Sequence, residues 1–375
     1  MDRGQLKGLV LQDKRIEEAW LEVVVPGEKV RVTGIRDVVE PRVKVEGKGQ
    51  VFPGILGPVA PVGEGRTHRL SGMAVLVAAE YEGTIRAGLG VQRSAILDMW
   101  GPGAEASRFS SLFGLVLSLR LVKRVETFDL TKVKPKLPRV LFIQGCLTDS
   151  HHVHSGVSYY GLPIRDSLAT VVHPNEFFDG AFAINTTRCI GYFPITWDWQ
   201  NHPLVLGLYR EHGKRLNFAG VILERIRFET FQGKEVIAQN TAQLASTLGA
   251  DAALVTWLGS GNAFVDLMLT IRACEKRGIK TVLVTYEYGG KEGIDSPLLY
   301  YVPEADAVVS TGSRDRWIDL PPAEKVVGPY KEIKILSYPG APVASARDSL
   351  TLDARDMIVG GVDNWGRQSW ACRAY

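Results

Sequence analysis

The chain has 375 residues, 45% of them apolar, and 44 basic against 41 acidic side chains leave a formal net charge of +3. So even a balance, with no stripe of Lys and Arg, argues against a dedicated nucleic-acid or acidic-membrane binder, and the length suffices for two hydrophobic cores. The N-terminus lacks the apolar core of a secretory signal. The longest apolar run, residues 112–122, is broken by Ser118 and Arg120 and is too short to span a bilayer, so a soluble cytoplasmic protein is expected.

Residues 1–135 read as a β-rich domain. Residues 21–25 form a β-branched run that stops at the turn signal Pro26-Gly27. Val30 and Val32, then Val43 and Val45, alternate with charged residues as half-buried strands do. Residues 47–65, rich in Gly and Pro, predict a long loop. Residues 73–79 and 112–122 are further apolar segments, and periodicity leaves the second open to strand or helix. The basic, proline-containing connector 131–139 places a domain boundary near residue 135.

From residue 136 to 375 the rhythm becomes strand, loop, helix. Strands are expected at 140–143, 218–223, 252–258, 280–286 and 307–310. Pro203 suits the first turn of a helix capped by Asn201 or His202 and closed by Gly213. Residues 234–248 predict a helix with Ile237, Thr241, Leu244 and Leu248 on one face, and residues 264–277 another, with Cys274 inward and Gly278 behind it. Continuous apolar strands alternating with helices imply a doubly wound α/β domain with a parallel sheet, whose ligands sit at the carboxyl ends of the strands.

Two glycine loops occupy such ends. Gly259-Ser260-Gly261-Asn262 could offer backbone N–H groups to a substrate carboxylate, or could be a tight turn with a helix cap; Gly289 and Gly290 lie in the loop after the next strand. The third glycine of a dinucleotide fingerprint is missing, so no NAD site is expected. His151, His152 and His154 alternate as strand ligands would, but no cysteine or acidic partner follows at metal spacing, and no metal is expected. The four cysteines, 146, 189, 274 and 372, form no CxxC pair. Six of the seven histidines fall within residues 151–212, around Cys189. The stretch 185–203 holds that cysteine after Thr186, Thr187 and Arg188, and has neither helical nor strand periodicity, so it reads as a loop. Long ordered loops inside a domain are often functional.

The segments His173-Pro174-Asn175-Glu176, Asp179-Gly180-Ala181, Gln200-Asn201-His202-Pro203, 208–214 and 217–222 resemble the precursor subunit of component B of glycine/sarcosine/betaine reductase. Residues 278–282, 307–310, Leu320-Pro321-Pro322, Phe52-Pro53-Gly54 and Gly65-Arg66-Thr67-His68 fit as well, and the D-proline reductase precursor is a related member. The resemblance implies self-cleavage at an internal cysteine that becomes a pyruvoyl group. Carried over, this is Cys189, with the cut after Arg188 giving pieces 1–188 and 189–375, and with His173 and His202 as bases within sequence reach. Thiolate attack on the preceding carbonyl, β-elimination of sulfur and hydrolysis of the dehydroalanine would produce the ketone. The resemblance further implies that this ketone forms a Schiff base with a small amine or amino acid, and that a selenocysteine on a partner selenoprotein takes the carboxymethyl group. Trp257 and Tyr286 stand where the resemblance implies more polar residues. The rival expectation is an unprocessed α/β module that binds a small carboxylate at the Gly259 and Gly289 loops, with Cys189 merely buried.

Overall fold

The computed structural model describes residues 3–14, 16–46, 66–70, 73–79, 95–106, 123–126, 130–148, 157–164, 167–184, 194–227, 229–259, 261–287, 299–313, 315, 317–335 and 342–366. The loop expected at 47–65 and the segment 112–122 lie outside these residues. The chain is mixed α/β, with parallel strands in its largest sheet.

The helix α1 (Arg3–Val10) precedes the strands β1 (Val30–Val32), β2 (Ile35–Val39), β3 (Arg42–Glu46), β4 (Arg66–Leu70), β5 (Val75–Ala78) and β6 (Leu97–Asp98), the helix α2 (Gly101–Ala106) and β7 (Lys123–Glu126). There follow β8 (Arg139–Leu147), β9 (Val157–Tyr159), β10 (Leu162–Pro163), β11 (Ala169–Val172) and β12 (Phe182–Ile184), then α3 (Thr196–Gln200), α4 (Pro203–Glu211), β13 (Asn217–Ile226), α5 (Phe231–Thr247), β14 (Ala252–Leu258), α6 (Phe264–Glu275), β15 (Lys280–Glu287) and β16 (Val308–Ser313). Short strands β17 (Trp317–Leu320), β18 (Lys325–Val327), β19 (Glu332–Lys334), β20 (Val343–Ser345) and β21 (Leu350–Asp353) and the helix α7 (Ala354–Met357) close the described chain.

Six strands form the main sheet in the order β11-β13-β8-β14-β15-β16, parallel except for β11, which runs against β13. Period-two alternation splits the side chains between two cores. Leu141, Ile143, Ile222, Val255 and Trp257 pack under α5 and α6. Phe142, Cys146, Val221 and Leu223 meet α4 and the aromatic residues Phe177, Phe182 and Trp199 on the other face. Helices on both faces explain why these strands read as continuous apolar runs. The register of β13 shifts between Phe218 and Gly220, where Gly220 takes φ +141°, a conformation side-chain-bearing residues rarely adopt.

Two local expectations differ from the structure. Residues 21–25 carry a strand pattern but form no strand: Trp20 and Val23 are exposed, and among the described residues no strand pairs with them. Thr196–Gln200, expected as loop, is helical, and all five residues are buried.

Residues beyond the main sheet return to the N-terminal strands. β1 pairs in parallel with β18 and antiparallel with β6. Arg31 joins them: its guanidinium donates twice to Asp98, at 2.7 and 2.9 Å, and to the carbonyls of Ala346, Asp348 and Pro321. Both charged side chains of the pair are inaccessible to solvent. A buried pair is strongly destabilising when one partner is removed, because the other is left uncompensated. Arg31→Met is therefore expected to lower the unfolding free energy by roughly 3–5 kcal/mol, read by denaturant titration.

A second buried network lies between β13, α5 and α6. Thr270 donates to Glu224 Oε1 at 2.6 Å, and Lys234 donates to Asp266 and to the Arg227 carbonyl. Burial, helped by the charge of Asp266, pushes Glu224 up to about 8, and burial pushes Asp266 up to about 6 against the neighbouring Lys234 amine. Between the ordinary carboxylate value and about 8, folded Glu224 holds a proton that the unfolded chain has released. That stability is complete in acid and is lost as pH rises through the window. Glu224→Gln keeps the acceptor for Thr270 without a titrating group. Its melting temperature is expected to match the parent near pH 5 and to exceed it by the equivalent of about 2 kcal/mol near pH 8, in thermal melts across that range.

Candidate functional site

The segment that carries Cys189 and Arg188, residues 185–193, lies outside the described residues, as do Gly289 and Gly290. Its two stems are described, and each is fixed by a different set of buried groups.

The upstream stem is β12, which pairs antiparallel with β9, Phe182 opposite Tyr159 and Ala183 opposite Ser158. Before it comes a single 3-10 turn, Pro174–Phe177, begun by His173. His173 Nδ1 accepts the Asn175 N–H at 3.1 Å, and Glu176 Oε2 accepts the His173 N–H at 2.7 Å, a reciprocal capping box. Glu176 Oε1 also accepts the hydroxyls of Tyr159 and Tyr160, at 2.8 and 2.7 Å. Tyr160 sits at φ +50°, the only left-handed non-glycine among the described residues. Desolvation holds His173 below the ordinary imidazole value, opposed by the charge of Glu176. Asp179, just before the strand, accepts Lys44 Nζ at 2.7 Å and Thr67 Oγ1 at 2.5 Å, which ties this stem to β3 and β4.

The downstream stem enters α3. Ile195 and Trp197 are buried in the N-terminal core with Val32, Ile35 and Val38. Asp37 on β2 accepts the Thr196 N–H at 2.9 Å and its hydroxyl at 2.5 Å, so an acid from the N-terminal strands caps this helix. Asp198 accepts the Ile195 N–H at 3.1 Å. Burial pushes Asp37 up to about 7, with the charge of Asp198 adding to the rise, while the bonds from Thr196 and Val38 resist it. Arg42 donates to the Gln200 carbonyl at 2.6 Å and to Asn201 Oδ1 at 3.2 Å, and Gln200 Oε1 accepts the Glu40 N–H at 3.0 Å.

His202 follows directly and is fully buried. Its Nδ1 lies 3.5 Å from the Val205 N–H at the start of α4, and its Nε2 lies 3.4 Å from Gln144 Oε1 on β8. The ring lies 3.8 Å from that of Trp365, with Phe142 and Phe177 edge-on at 5.0 and 5.6 Å. His173 is thus an exposed cap of one stem and His202 a buried cap beyond the other. Asp37 was not singled out by sequence reasoning. Within Ile35-Arg36-Asp37-Val38-Val39 it reads as one polar residue in a half-buried strand.

The Gly259 loop is built from below. Trp257 at the end of β14 stacks on Tyr286 at the end of β15, with centroids 5.1 Å apart and planes 16° from parallel. Trp257 Nε1 donates to Thr285 Oγ1 at 2.9 Å, and the Tyr286 hydroxyl donates to the Gly259 carbonyl. A Cβ at Gly259 would lie 3.0 Å from the Trp257 ring, so a larger residue here would press on the stack. Gly261 adopts φ +56°, and Asn262 is exposed in the 3-10 turn that leads into α6. The N-cap of α6 is Ala263, which supplies no side-chain bond. The two aromatic residues thus support the loop's backbone. Tyr286→Phe leaves the Gly259 carbonyl without this donor, a loss of about 1 kcal/mol. It is expected to speed amide exchange in residues 259–262 while the neighbouring strand amides stay protected, as read by hydrogen-exchange mass spectrometry.

Among the described residues, no group of three His, Cys, Asp or Glu side chains could hold a metal ion, and no helix is long and apolar enough to cross a membrane.

Residues 1–133 and 124–372 match the family model of glycine/sarcosine/betaine reductase component B subunits. The chain is 31% identical to the sarcosine reductase complex component B subunit alpha of Peptoclostridium acidaminophilum, over 91% of this chain and 86% of the relative. It is 32% identical to the glycine reductase complex component B subunits alpha and beta of Acetoanaerobium sticklandii, over 88% and 83%. It is also 32% identical to the betaine reductase complex component B subunit alpha of Peptoclostridium acidaminophilum, over 91% and 84%. The chain belongs to the family of glycine/sarcosine/betaine reductase component B subunits. No solved structure gives a significant match.

Proposed function

We propose that this chain is the self-processing precursor of a pyruvoyl-bearing component B subunit, acting in the reductive deamination of glycine, sarcosine or betaine. The observation that carries this reading is the family match along almost the whole chain, to relatives among which one chain is named for both subunits, alpha and beta. The state of two of the other three cysteines supports Cys189 as the residue consumed. Cys146 and Cys274 are buried in the two cores, and burial pushes the Cys146 thiol well up and that of Cys274 to about 12. Neither is a useful nucleophile at neutral pH. The donor chemistry fits as well: the stretch between the two stems contains one cysteine, with Arg188 as the residue whose carbonyl it would attack.

In this reading the Cys189 thiolate adds to the Arg188 carbonyl and the peptide nitrogen leaves as an amine, giving a thioester. β-Elimination expels Arg188 as a thiocarboxylate, which water converts to the carboxylate with release of hydrogen sulfide. The dehydroalanine left at position 189 loses ammonia to water and becomes the ketone. That group supplies an electrophilic carbonyl for the amine of glycine or sarcosine, whereas the quaternary nitrogen of betaine has no lone pair with which to condense; the acceptor of the carboxymethyl group is a selenocysteine on a partner selenoprotein. The chain's own residues hold the stems: Glu176 and Asp179 upstream, Asp37, Asp198 and Arg42 downstream. His173 and His202 serve this architecture as caps.

The rival, an unprocessed carboxylate-binding module, draws on the Gly259 loop, whose backbone is held open at the start of a helix without a side-chain cap. Intact mass and a denaturing gel separate the two. The parent chain is expected to give two pieces of nearly equal size, with a hydroxylamine-reactive carbonyl on 189–375, while Cys189→Ala stays whole at 41.2 kDa. A parent chain that stays at 41.2 kDa with a free amino terminus overturns the processing reading.

A further inference from the structure

The strand pattern at residues 21–25 is left unused by the fold: among the described residues no strand pairs with it. The residues before it are equally bare. No residue of α1 is buried, although Leu6, Leu9 and Val10, three and four positions apart, share one face of that helix. Beyond the turn that ends α1, Ile16, Trp20 and Val23 are exposed too, Trp20 at 58% and Val23 at 60%. Scattered apolar side chains are ordinary on a surface, but a contiguous series that includes an indole marks a contact. The segment is anchored where it joins the fold. Val24 packs against the N-terminal core that holds Val30 and Ile35, and the Gly27 N–H donates to the Met99 carbonyl at 2.7 Å.

Charge divides the segment in two. Residues 3–14 hold Arg3, Lys7 and Lys14 against one acid, Asp13, while residues 16–25 hold Glu17, Glu18 and Glu22 and no base. Within the chain, Glu22 meets Lys325 at 3.2 Å in an exposed pair, which contributes little. A segment of this kind is complementary to itself when two copies run in opposite directions. The basic half of one then faces the acidic half of the other, and the apolar side chains of both halves meet between them. A two-fold contact is isologous, so one segment supplies both sides of it. An interface of standard size draws on roughly 20–30 residues from each partner, which is the length of this segment. An anionic bilayer is the other surface that takes an amphipathic helix, and it would repel the three glutamates.

We infer that residues 3–14 and 16–25 form a self-association surface whose occupant is a second copy of this chain, the two segments lying antiparallel about a two-fold axis. Leu6, Leu9 and Val10 of one copy pack on Trp20 and Val23 of the other, so the run 21–25 is covered by a helix of the second copy. The charges at the edge of the contact set its direction and register. The inference concerns a surface apart from the Cys189 stretch and does not depend on self-processing.

The test is sedimentation equilibrium of the full chain carrying Cys189→Ala, which keeps it in one piece. The native mass is expected to be twice 41.2 kDa. Trp20→Ser with Val23→Ser is expected to weaken self-association at least about tenfold, as loss of an apolar anchor does, with the far-UV circular dichroism unchanged, because both side chains are exposed within one copy. Charge reversal tests the direction of pairing. Glu17→Lys with Glu18→Lys makes both halves basic, and Lys7→Glu with Lys14→Glu makes both acidic. Each variant alone is expected to sediment as a single copy, and their equimolar mixture as a pair. A chain that stays at 41.2 kDa at every concentration overturns the inference, as does a dimer whose mass none of these substitutions alters. A single copy that co-sediments with vesicles of phosphatidylserine and phosphatidylcholine assigns the segment to a membrane surface and overturns it equally.

Discussion

The strand Arg139–Leu147 has parallel neighbours along both edges, and most of the molecule is arranged so that this holds. Its side chains alternate between two cores: Leu141, Ile143 and Leu147 under α5 and α6, Phe142 and Cys146 under α4 and the aromatic cluster. Hydrogen bonds from both edges and apolar cover on both faces leave this strand no contact with solvent from Leu141 to Cys146 beyond a trace. A parallel strand in this position needs crossovers on each side to deliver its neighbours. Here those crossovers carry α3, α4, α5 and the stretch with Cys189.

The Cys189 stretch leaves the sheet region from β12 and re-enters at α3, and its two ends are held by different parts of the chain. Upstream, Glu176 gathers two tyrosine hydroxyls and the His173 N–H, and Asp179 takes up Lys44 and Thr67. Downstream, Asp37 and Arg42 reach across from the N-terminal strands to Thr196, Gln200 and Asn201. Buried acids and an arginine that bond in this way hold geometry well, because leaving any one of them unmatched is costly in low dielectric.

The parts legible in the residues were those with a local cause. α5 and α6 follow from apolar spacing and from glycines 249 and 278 just past their ends, and α4 follows from Pro203 with His202 as its cap. β13, β14 and β15 follow from unbroken apolar runs. The five-residue helix Thr196–Gln200 is too short to show a period, and its cap comes from Asp37, 159 residues away. Residues 21–25 have the composition of a strand but no pairing strand among the described residues, and composition cannot supply one. His202 stands out in the sequence because it is ionisable and close to Cys189 in the chain; its place among Trp365, Phe142 and Phe177 is a property of packing. Trp257 and Tyr286 looked out of place for a polar loop, and parallel pairing of β14 with β15 turns them into the platform beneath Gly259.

By itself, the sequence determined the element types of the α/β half, the loop positions at strand ends and the family resemblance, because each is written in contiguous residues. Only the tertiary structure decided which strands are neighbours, which histidines are caps, and that Asp37, Arg31 and the last strands knit the beginning of the chain to its end. Those facts depend on contacts between residues far apart in sequence, and no local pattern encodes the partner.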